Sequence, residues 1–192
     1  VPNDMNLDGD NDGEVDNVCF IIRGQHDAWA DLLWAHKWYL FSYDVSINGK
    51  DVYGYTFQPE TQNEVRVLCH EMFHGLGAPD LYHYNQDGLD PIGPWDLMYK
   101  GFVHMGAYMK YLYGEWIDFI PEITTSGTYT INSLANPTEN CWKIKSPYSN
   151  NEYFVLEYRD KSTSLYEDNL TGSGLVIYRI NSNYQYQGNT YG

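Results

Sequence analysis

The chain has 192 residues, of which 43% are hydrophobic and 17% aromatic, and its formal net charge at pH 7 is −15. This composition favours a globular core over disorder, and the length suits one sizeable domain or a domain with a smaller module. The acidity argues against nucleic-acid binding, which requires a basic surface, and no apolar run approaches the roughly 20 residues of a membrane span.

The acidic stretch at residues 4–16 fits the opening of a calcium-binding loop, in which alternate residues supply oxygen ligands. It fits in two overlapping registers, which end at Gly9 and Gly13. The candidate calcium ligands are Asp8, Asp10, Asp12, Glu14 and Asp16. The second register has Cys19 at its twelfth position, where such a loop needs an acidic residue, so a solvated acidic turn is the alternative reading.

Strands are predicted on both sides of a hairpin turn. Residues 17–22 form a continuous apolar run with β-branched residues, which predicts a buried strand. Asn48-Gly49 predicts a hairpin turn, and residues 52–57 predict a strand that leads toward the next helix.

That helix is predicted to begin near Thr61 and to carry the motif H-E-x-x-H. Thr61 followed by Glu64 three residues later is typical of a capping box, in which each side chain satisfies a backbone N–H. Two glycines and a proline within residues 75–79 favour a turn, so the helix should end just after His74.

An apolar stripe along this helix is predicted to face the core, because its residues recur at three- and four-residue spacing. The stripe consists of Val65, Leu68, Met72 and Leu76, widened by Cys69 and Phe73. We therefore expect Cys69 to be a packed thiol on the buried side of the helix. The chain has three cysteines, so one internal disulfide at most can form.

The motif places potential metal ligands on one face of the helix. His70 and His74 are four residues apart, so their imidazoles can bind one ion together. Glu71 can reach a metal-bound water without ligating the ion. The spacing extends to H-E-x-x-H-x-x-G-x-x-D, which makes Asp80 the predicted third ligand. Zinc accepts such a carboxylate, and three protein ligands leave a position for water.

Alternatives remain at each of these positions. H-E-x-x-H alone can arise by chance on a surface helix, although the glycine turn and Asp80 argue against coincidence. Asp80 could instead cap the helix end or accept a structural hydrogen bond. The rival third ligands are His83, His104, Asp90 and Glu115. His26 and His36 have no spacing relation to the motif and are predicted to be structural.

The string G-P-W-D-L-M-Y at residues 93–99 is turn-prone and ends in a methionine and a tyrosine. In metzincin-like enzymes a methionine lies beneath the metal as an apolar floor, and Met98 is predicted to take that part. Tyr99 is predicted to lean toward the substrate. Ordinary core packing is the alternative for Met98, because methionine readily fills irregular gaps.

Downstream of this string, residues 104–116 are read as a second amphipathic helix, and strand-like runs follow. These runs lie at residues 123–131, 141–145, 152–158 and 174–180. We therefore predict an α+β chain. Its catalytic region at residues 1–116, with the N-terminal part incomplete, would be a zincin- or metzincin-like mixed sheet plus active-site helix. A β-rich C-terminal module would occupy residues 117–192.

In combination these motifs resemble the M6 metallopeptidases, the family of immune inhibitor A. The resemblance rests on N-D-G-E-V-D-N-V, W-A-H-K-W, H-E-M-F-H-G-L-G-A-P-D-L-Y and G-P-W-D-L-M. It continues in the later runs E-Y-F-V-L-E-Y-R and G-S-G-L-V-I-Y-R-I. It implies a secreted bacterial zinc endopeptidase that is made with a propeptide and often binds calcium. By this resemblance His70 and His74 would be zinc ligands, Glu71 the catalytic base and Asp80 the matching acidic position. We expect the propeptide and further domains to lie outside this sequence.

Two functions compete on these grounds. The first is hydrolysis of protein or peptide substrates, in which a zinc-bound water has its pKa lowered toward about 7 and Glu71 moves the proton. The second is a non-catalytic binding or adhesion module that keeps a zincin fold and presents aromatic residues to a surface or glycan partner. The intact Glu71 favours the peptidase, because it is dispensable for metal binding but needed for the chemistry. A third reading keeps the histidines and makes Glu115 or another downstream carboxylate the third ligand.

Overall fold

The computed structural model describes residues 1–23, 33–85, 87–100, 102–164 and 166–188. These residues form a mixed α+β structure with several sheets and few helices, so the predicted α+β class is confirmed. The chain divides into two compact units, residues 1–76 and 77–192. In the part of the chain that is described, no helix is long and apolar enough to cross a membrane.

The first unit contains a three-stranded sheet and a two-stranded hairpin. Its strands are β1 (Val18–Ile22), β2 (His36–Tyr39), β3 (Ser46–Ile47), β4 (Lys50–Asp51) and β5 (Gly54–Pro59). The sheet has the order β1-β5-β2, with β1 parallel and β2 antiparallel to the central β5. β3 and β4 form the separate hairpin, and Asn48 and Gly49 at its turn have positive φ angles of 52° and 80°. The predicted hairpin turn is therefore confirmed.

The apolar run at residues 17–22 does form a strand, but the prediction that it is buried is wrong. Phe20, Ile21 and Ile22 of β1 are 42%, 60% and 38% exposed. Within the described residues β1 lies at the edge of its sheet and pairs with β5 alone. An apolar, β-branched run reports strand propensity, but it does not tell whether the strand lies at the centre or the edge of a sheet.

The motif helix α1 spans Val65–Gly75 and packs against β5 and β2. It ends one residue after His74, as predicted. Its start differs, because Thr61 belongs to a separate 3₁₀ turn and Glu64 is the N-cap residue without a side-chain capping hydrogen bond. The predicted capping box is therefore wrong. The Glu64 carboxylate instead accepts a 2.6 Å hydrogen bond from Nε of Arg66.

Most of the predicted apolar stripe of α1 does not face the core, and Phe73 is its buried member. Val65, Met72 and Leu76 are 62%, 48% and 52% exposed, and Cys69 is also exposed, so it is not a packed thiol. The buried side chains of the helix are those of Glu71 and Phe73. Helical periodicity identifies a possible buried face, but the position of the sheet decides which face is covered, and that information is tertiary.

The second unit contains short helices and a second three-stranded sheet. Its elements are α2 (Leu97–Lys100), α3 (Ala107–Leu112), β6 (Cys141–Lys145), β7 (Glu152–Arg159) and β8 (Gly174–Asn181). The sheet is antiparallel with the order β6-β7-β8. Its hydrophobic core is a cluster of Ala107, Ile120, Leu134, Cys141 and Val155.

Two predictions for this unit need correction. The helix predicted at residues 104–116 is only the six-residue α3, because Gly106 is extended (φ −67°, ψ 167°) and serves as its N-cap residue. The run at residues 123–131 forms no strand, whereas the other three runs are confirmed as β6, β7 and β8. The zincin architecture and the division into residues 1–116 and 117–192 stay predictions.

Candidate metal centre

Both histidines of the α1 motif come together with Asp80. Each of the three side chains offers one ligand atom, and these atoms all lie within 4.8 Å of one another. The imidazole ring centroids are 4.8 Å apart with the planes nearly perpendicular, as the four-residue spacing on one helix face allows. Two imidazoles and a carboxylate are a donor set that suits zinc. The residues present therefore fit the metal that the motif implies.

The chain reaches Asp80 through a glycine turn and a buried segment. Gly77 has a φ of 89°, a left-handed conformation that favours glycine. Ala78 and Asp80 that follow are 2% and 7% exposed. The turn thus has the form that the spacing H-x-x-G-x-x-D predicts, and it brings the carboxylate back toward the end of α1.

Tyr84 is a residue of this site that the sequence analysis missed. Its hydroxyl donates a 2.6 Å hydrogen bond to Oδ2 of Asp80. Groups that hydrogen-bond to a metal ligand orient that ligand and tune its charge. The only signal in the sequence is a tyrosine four residues after the aspartate, which does not by itself predict such a contact.

Glu71 lies next to His70 in α1 and is 8% exposed. Glutamate is rarely this buried in a protein, and Glu71 is one of the two buried side chains of α1. The burial agrees with a position inside a site, and the role of catalytic base stays a prediction.

The rival third ligands lie in other environments. His83 Nδ1 is 2.8 Å from a carboxylate oxygen of Asp87, and Asp90 accepts a hydrogen bond from the Tyr99 hydroxyl. The His104 ring packs against Tyr166, with the ring centroids 5.1 Å apart. Among the described residues, neither group of three or more potential ligands that lie close together contains His83, His104, Asp90 or Glu115.

Of the two histidines predicted to be structural, His36 lies among the described residues, in β2. His36 stacks on Phe57, with ring centroids 5.3 Å apart, and its Nδ1 lies 2.7 Å from the Trp34 carbonyl oxygen. These contacts agree with a structural role. His26 lies outside the described residues.

Met98 and Tyr99 are both buried, at 0% and 5% exposure. The Met98 carbonyl accepts a 3.0 Å hydrogen bond from the backbone N–H of Leu81, the residue after Asp80. This bond ties the string at residues 93–99, which we call the methionine string, to the backbone next to Asp80. The apolar floor at Met98 and the substrate contact at Tyr99 stay predictions, since the burial of Met98 also suits ordinary core packing.

The acidic loop brings three of its five candidate calcium ligands together. One carboxylate oxygen from each of Asp8, Asp10 and Asp16 lies within 4.8 Å of the others. Asp12 and Glu14 do not belong to this group; the Asp12 carboxylate accepts a hydrogen bond from the Glu14 backbone N–H at 2.7 Å.

Asp8 of this loop already has a cationic partner. Its buried carboxylate accepts a 2.6 Å hydrogen bond from Nζ of Lys50 and a 3.1 Å bond from the N–H of Gly13. The Lys50 ammonium holds the pKa of Asp8 below its usual value, and the backbone donors add to this effect. Calcium at this loop stays a prediction.

A buried charged cluster in the second unit also escaped the sequence analysis. It consists of Asp96, Glu157, Arg159, Glu167 and Tyr178, and we call it the Arg159 cluster. Asp96, Glu157 and Arg159 are at most 1% exposed. Burial raises the pKa of Asp96 to about 6. A signal was present in β7, where charged residues at 157 and 159 share the buried face with Val155.

Comparison with protein families identifies the chain. A model described as "Immune inhibitor A peptidase M6, catalytic domain" matches residues 3–109, more than half of the chain. The chain belongs to the M6 peptidase family. The predicted resemblance is thus confirmed over those residues, and the M6 assignment makes the chain a peptidase of a metallopeptidase family that generally uses zinc and acts on proteins. No curated protein and no solved structure matches this M6 chain.

Proposed function

We propose that this M6 chain is a secreted zinc-dependent endopeptidase that hydrolyses peptide bonds in protein substrates. The observation that carries the proposal is the grouping of His70, His74 and Asp80, whose ligand atoms lie within 4.8 Å of one another. These three residues would hold the zinc. When bound there, zinc would supply a Lewis acid that lowers the pKa of a water molecule and polarises the scissile carbonyl.

Glu71 would perform the proton transfers. Its carboxylate would accept a proton from the attacking water and then deliver it to the leaving amine, acting first as a base and then as an acid. The position of Glu71 next to His70 and its low exposure support this assignment.

Substrate would bind in an extended form along β2. Among the described residues β2 pairs with β5 alone, and α1 packs against β2 in the same unit. An extended peptide can add to the edge of a sheet through main-chain hydrogen bonds, which favours a protein substrate over a small molecule.

Asp80 would make the site more negative than a third histidine would, and this charge weakens zinc as a Lewis acid. The hydrogen bond from Tyr84 withdraws part of that charge from Oδ2.

We therefore expect Tyr84→Phe to lower zinc affinity or kcat by about 10- to 100-fold. Chelator competition and casein cleavage measure both quantities. Tyr148→Phe, at a side chain that is 96% exposed, is the control. Wild-type values in Tyr84→Phe would contradict the role of Tyr84.

Removal of the metal tests the proposal as a whole. The purified chain should contain about one zinc per molecule and cleave denatured casein, because a single three-ligand site is proposed. A chelator should abolish the cleavage, and added zinc should restore it. Cleavage that continues unchanged in a metal-free sample would contradict the proposal.

The second candidate function, a binding or adhesion module, is favoured by an exposed aromatic patch in the first unit. Tyr39, Phe41 and Tyr53 contact one another with ring centroids 4.9–6.0 Å apart, and Trp38 packs against Phe41. All four side chains are at least 38% exposed. This candidate predicts that the zinc-loaded chain leaves casein intact, so the same assay separates the two functions.

Secretion and calcium at the acidic loop belong to the same proposal. The secreted, bacterial location is supported by the family resemblance. Calcium is supported by the proximity of Asp8, Asp10 and Asp16, while the Lys50 contact of Asp8 argues against it.

A further inference from the structure

We propose that the Arg159 cluster positions Asp80 for metal binding. The C-terminal sheet β6-β7-β8 is then part of the metal site's support and not an independent module. This inference rests on the proposed function, because it takes Asp80 to be a zinc ligand. All the contacts that carry it lie within the second unit.

The first step links Asp80 to the methionine string. The N–H of Leu81 donates to the Met98 carbonyl at 3.0 Å, so the backbone beside Asp80 is fixed to this string. On the other side, a Cβ added to Gly188 would clash with the Asp80 carbonyl oxygen. The backbone of Asp80 therefore has little room to shift without moving both neighbours.

The second step links the methionine string to the start of α3 through one buried side chain. Oδ1 of Asp96 accepts a 2.8 Å hydrogen bond from the N–H of Met98, and Oδ2 accepts a 2.6 Å bond from the N–H of Gly106. Gly106 is closely surrounded, since an added Cβ would lie 3.3 Å from Asp96 Oδ2 and from Glu157 Oε2. The carboxylate of Asp96 thus sets the separation of two backbone segments.

The third step links these segments to the sheet. Glu157 of β7 accepts hydrogen bonds from the N–H of Ala107 and from the Tyr178 hydroxyl at 2.5 Å and 2.8 Å. Arg159, also of β7, donates to the carbonyl oxygens of Trp95 and His104. The two β7 side chains therefore hold the backbone beside Asp96 and beside Gly106, the two residues that the hydrogen bond to Asp96 Oδ2 joins.

The number and geometry of its hydrogen-bond donors explain why arginine is needed at residue 159. Its guanidinium contacts Glu157 at 3.0 Å and Glu167 at 2.7 Å while it also donates to two carbonyl groups. Arginine presents five donors in a fixed fork, whereas lysine presents three on a compact ammonium group. Arg159→Lys retains the positive charge but cannot make all of these contacts. It therefore tests the geometry of the cluster and not merely its charge.

The experiment uses the full chain in three variants. Arg159→Lys disturbs the whole cluster, and Tyr178→Phe removes one hydrogen bond from Glu157. Val155→Ala, at a fully buried residue of the same strand, destabilises the hydrophobic core without removing a member of the cluster. Zinc affinity by chelator competition and the absorption spectrum of the cobalt-substituted protein are measured well below each melting temperature.

We expect Arg159→Lys to bind zinc about 10- to 100-fold more weakly, the range found for groups that support metal ligands, and to alter the cobalt spectrum. Tyr178→Phe should show a smaller change in the same direction and carries the test if Arg159→Lys does not fold. Val155→Ala should lower the melting temperature but keep the wild-type affinity and spectrum.

Two results would overturn the inference. Wild-type zinc affinity and spectrum in the cluster variants would show that the cluster does not act on Asp80. An affinity that falls with the melting temperature in all three variants would show a general structural effect. If the wild-type chain itself binds no zinc, the proposed function fails and this inference fails with it, an outcome distinct from the other two.

Discussion

Glu71→Gln is expected to remove most of the peptidase activity and to leave the zinc in place. Glutamine has nearly the size of glutamate, but it stays neutral and cannot accept the proton of the attacking water. Positioned general acid–base groups contribute about 10²- to 10⁴-fold to rates, so kcat for denatured casein should fall by a factor in that range. Zinc content should stay at the wild-type value, because Glu71 does not belong to the group of close ligand atoms.

Glu64→Gln is the matched control, because Glu64 is a glutamate at the N-terminus of the same helix. Its side chain is 61% exposed and contacts Arg66, so this variant should retain wild-type kcat and zinc. Wild-type cleavage by Glu71→Gln would refute the proposed mechanism. A loss of zinc in Glu71→Gln would make Glu71 a ligand, which also contradicts the assignment.

Asp80→Asn is expected to weaken zinc binding by more than about 100-fold. The effect should exceed the 10- to 100-fold range of groups that only support a ligand, because this change alters a ligand itself. The replacement removes the negative charge and keeps the size of the side chain. Its amide oxygen can still accept the hydrogen bond from Tyr84, so the change isolates the carboxylate. Chelator competition on the folded protein measures the affinity.

Glu115→Gln is the comparison that separates the two assignments of the third ligand. If Asp80 ligates the zinc, Glu115→Gln should bind zinc like the wild type. Strong binding by Asp80→Asn together with weak binding by Glu115→Gln would reverse the assignment and favour the alternative with two histidines and a glutamate.

Features set by neighbouring residues could be predicted from the sequence. The end of α1 after His74 and the hairpin at Asn48-Gly49 both follow from conformations that glycine and asparagine adopt readily. The proximity of His70 to His74 follows from helical geometry alone. The turn to Asp80 was predictable because one glycine at a fixed spacing suffices for it.

Burial was not predictable in the same way. Most apolar residues of β1 are exposed, and so are Val65, Met72 and Leu76 of the predicted α1 stripe, although their patterns are typical of a core. A pattern records which face could be buried, whereas the position of other elements decides which face is. The contrast between exposed Met72 and buried Glu71, adjacent in α1, shows that hydrophobicity alone does not settle this.

Contacts between distant parts of the chain were also beyond the sequence. Arg159 donates to the carbonyl of Trp95, 64 residues earlier, and this pairing depends on the packing of the whole second unit. The buried face of β7 carried a partial signal, because two charged residues share that face with Val155 at two-residue spacing. Such a signal indicates that buried partners exist but does not identify them.

The most direct test of the zinc site is a crystal structure with diffraction data collected at the zinc absorption edge. The account predicts an anomalous peak bonded to one nitrogen each of His70 and His74 and to an oxygen of Asp80, at about 2.0–2.2 Å. A zinc-loaded crystal without a peak between the two imidazoles, or with a peak bonded to Glu115 in place of Asp80, would contradict it.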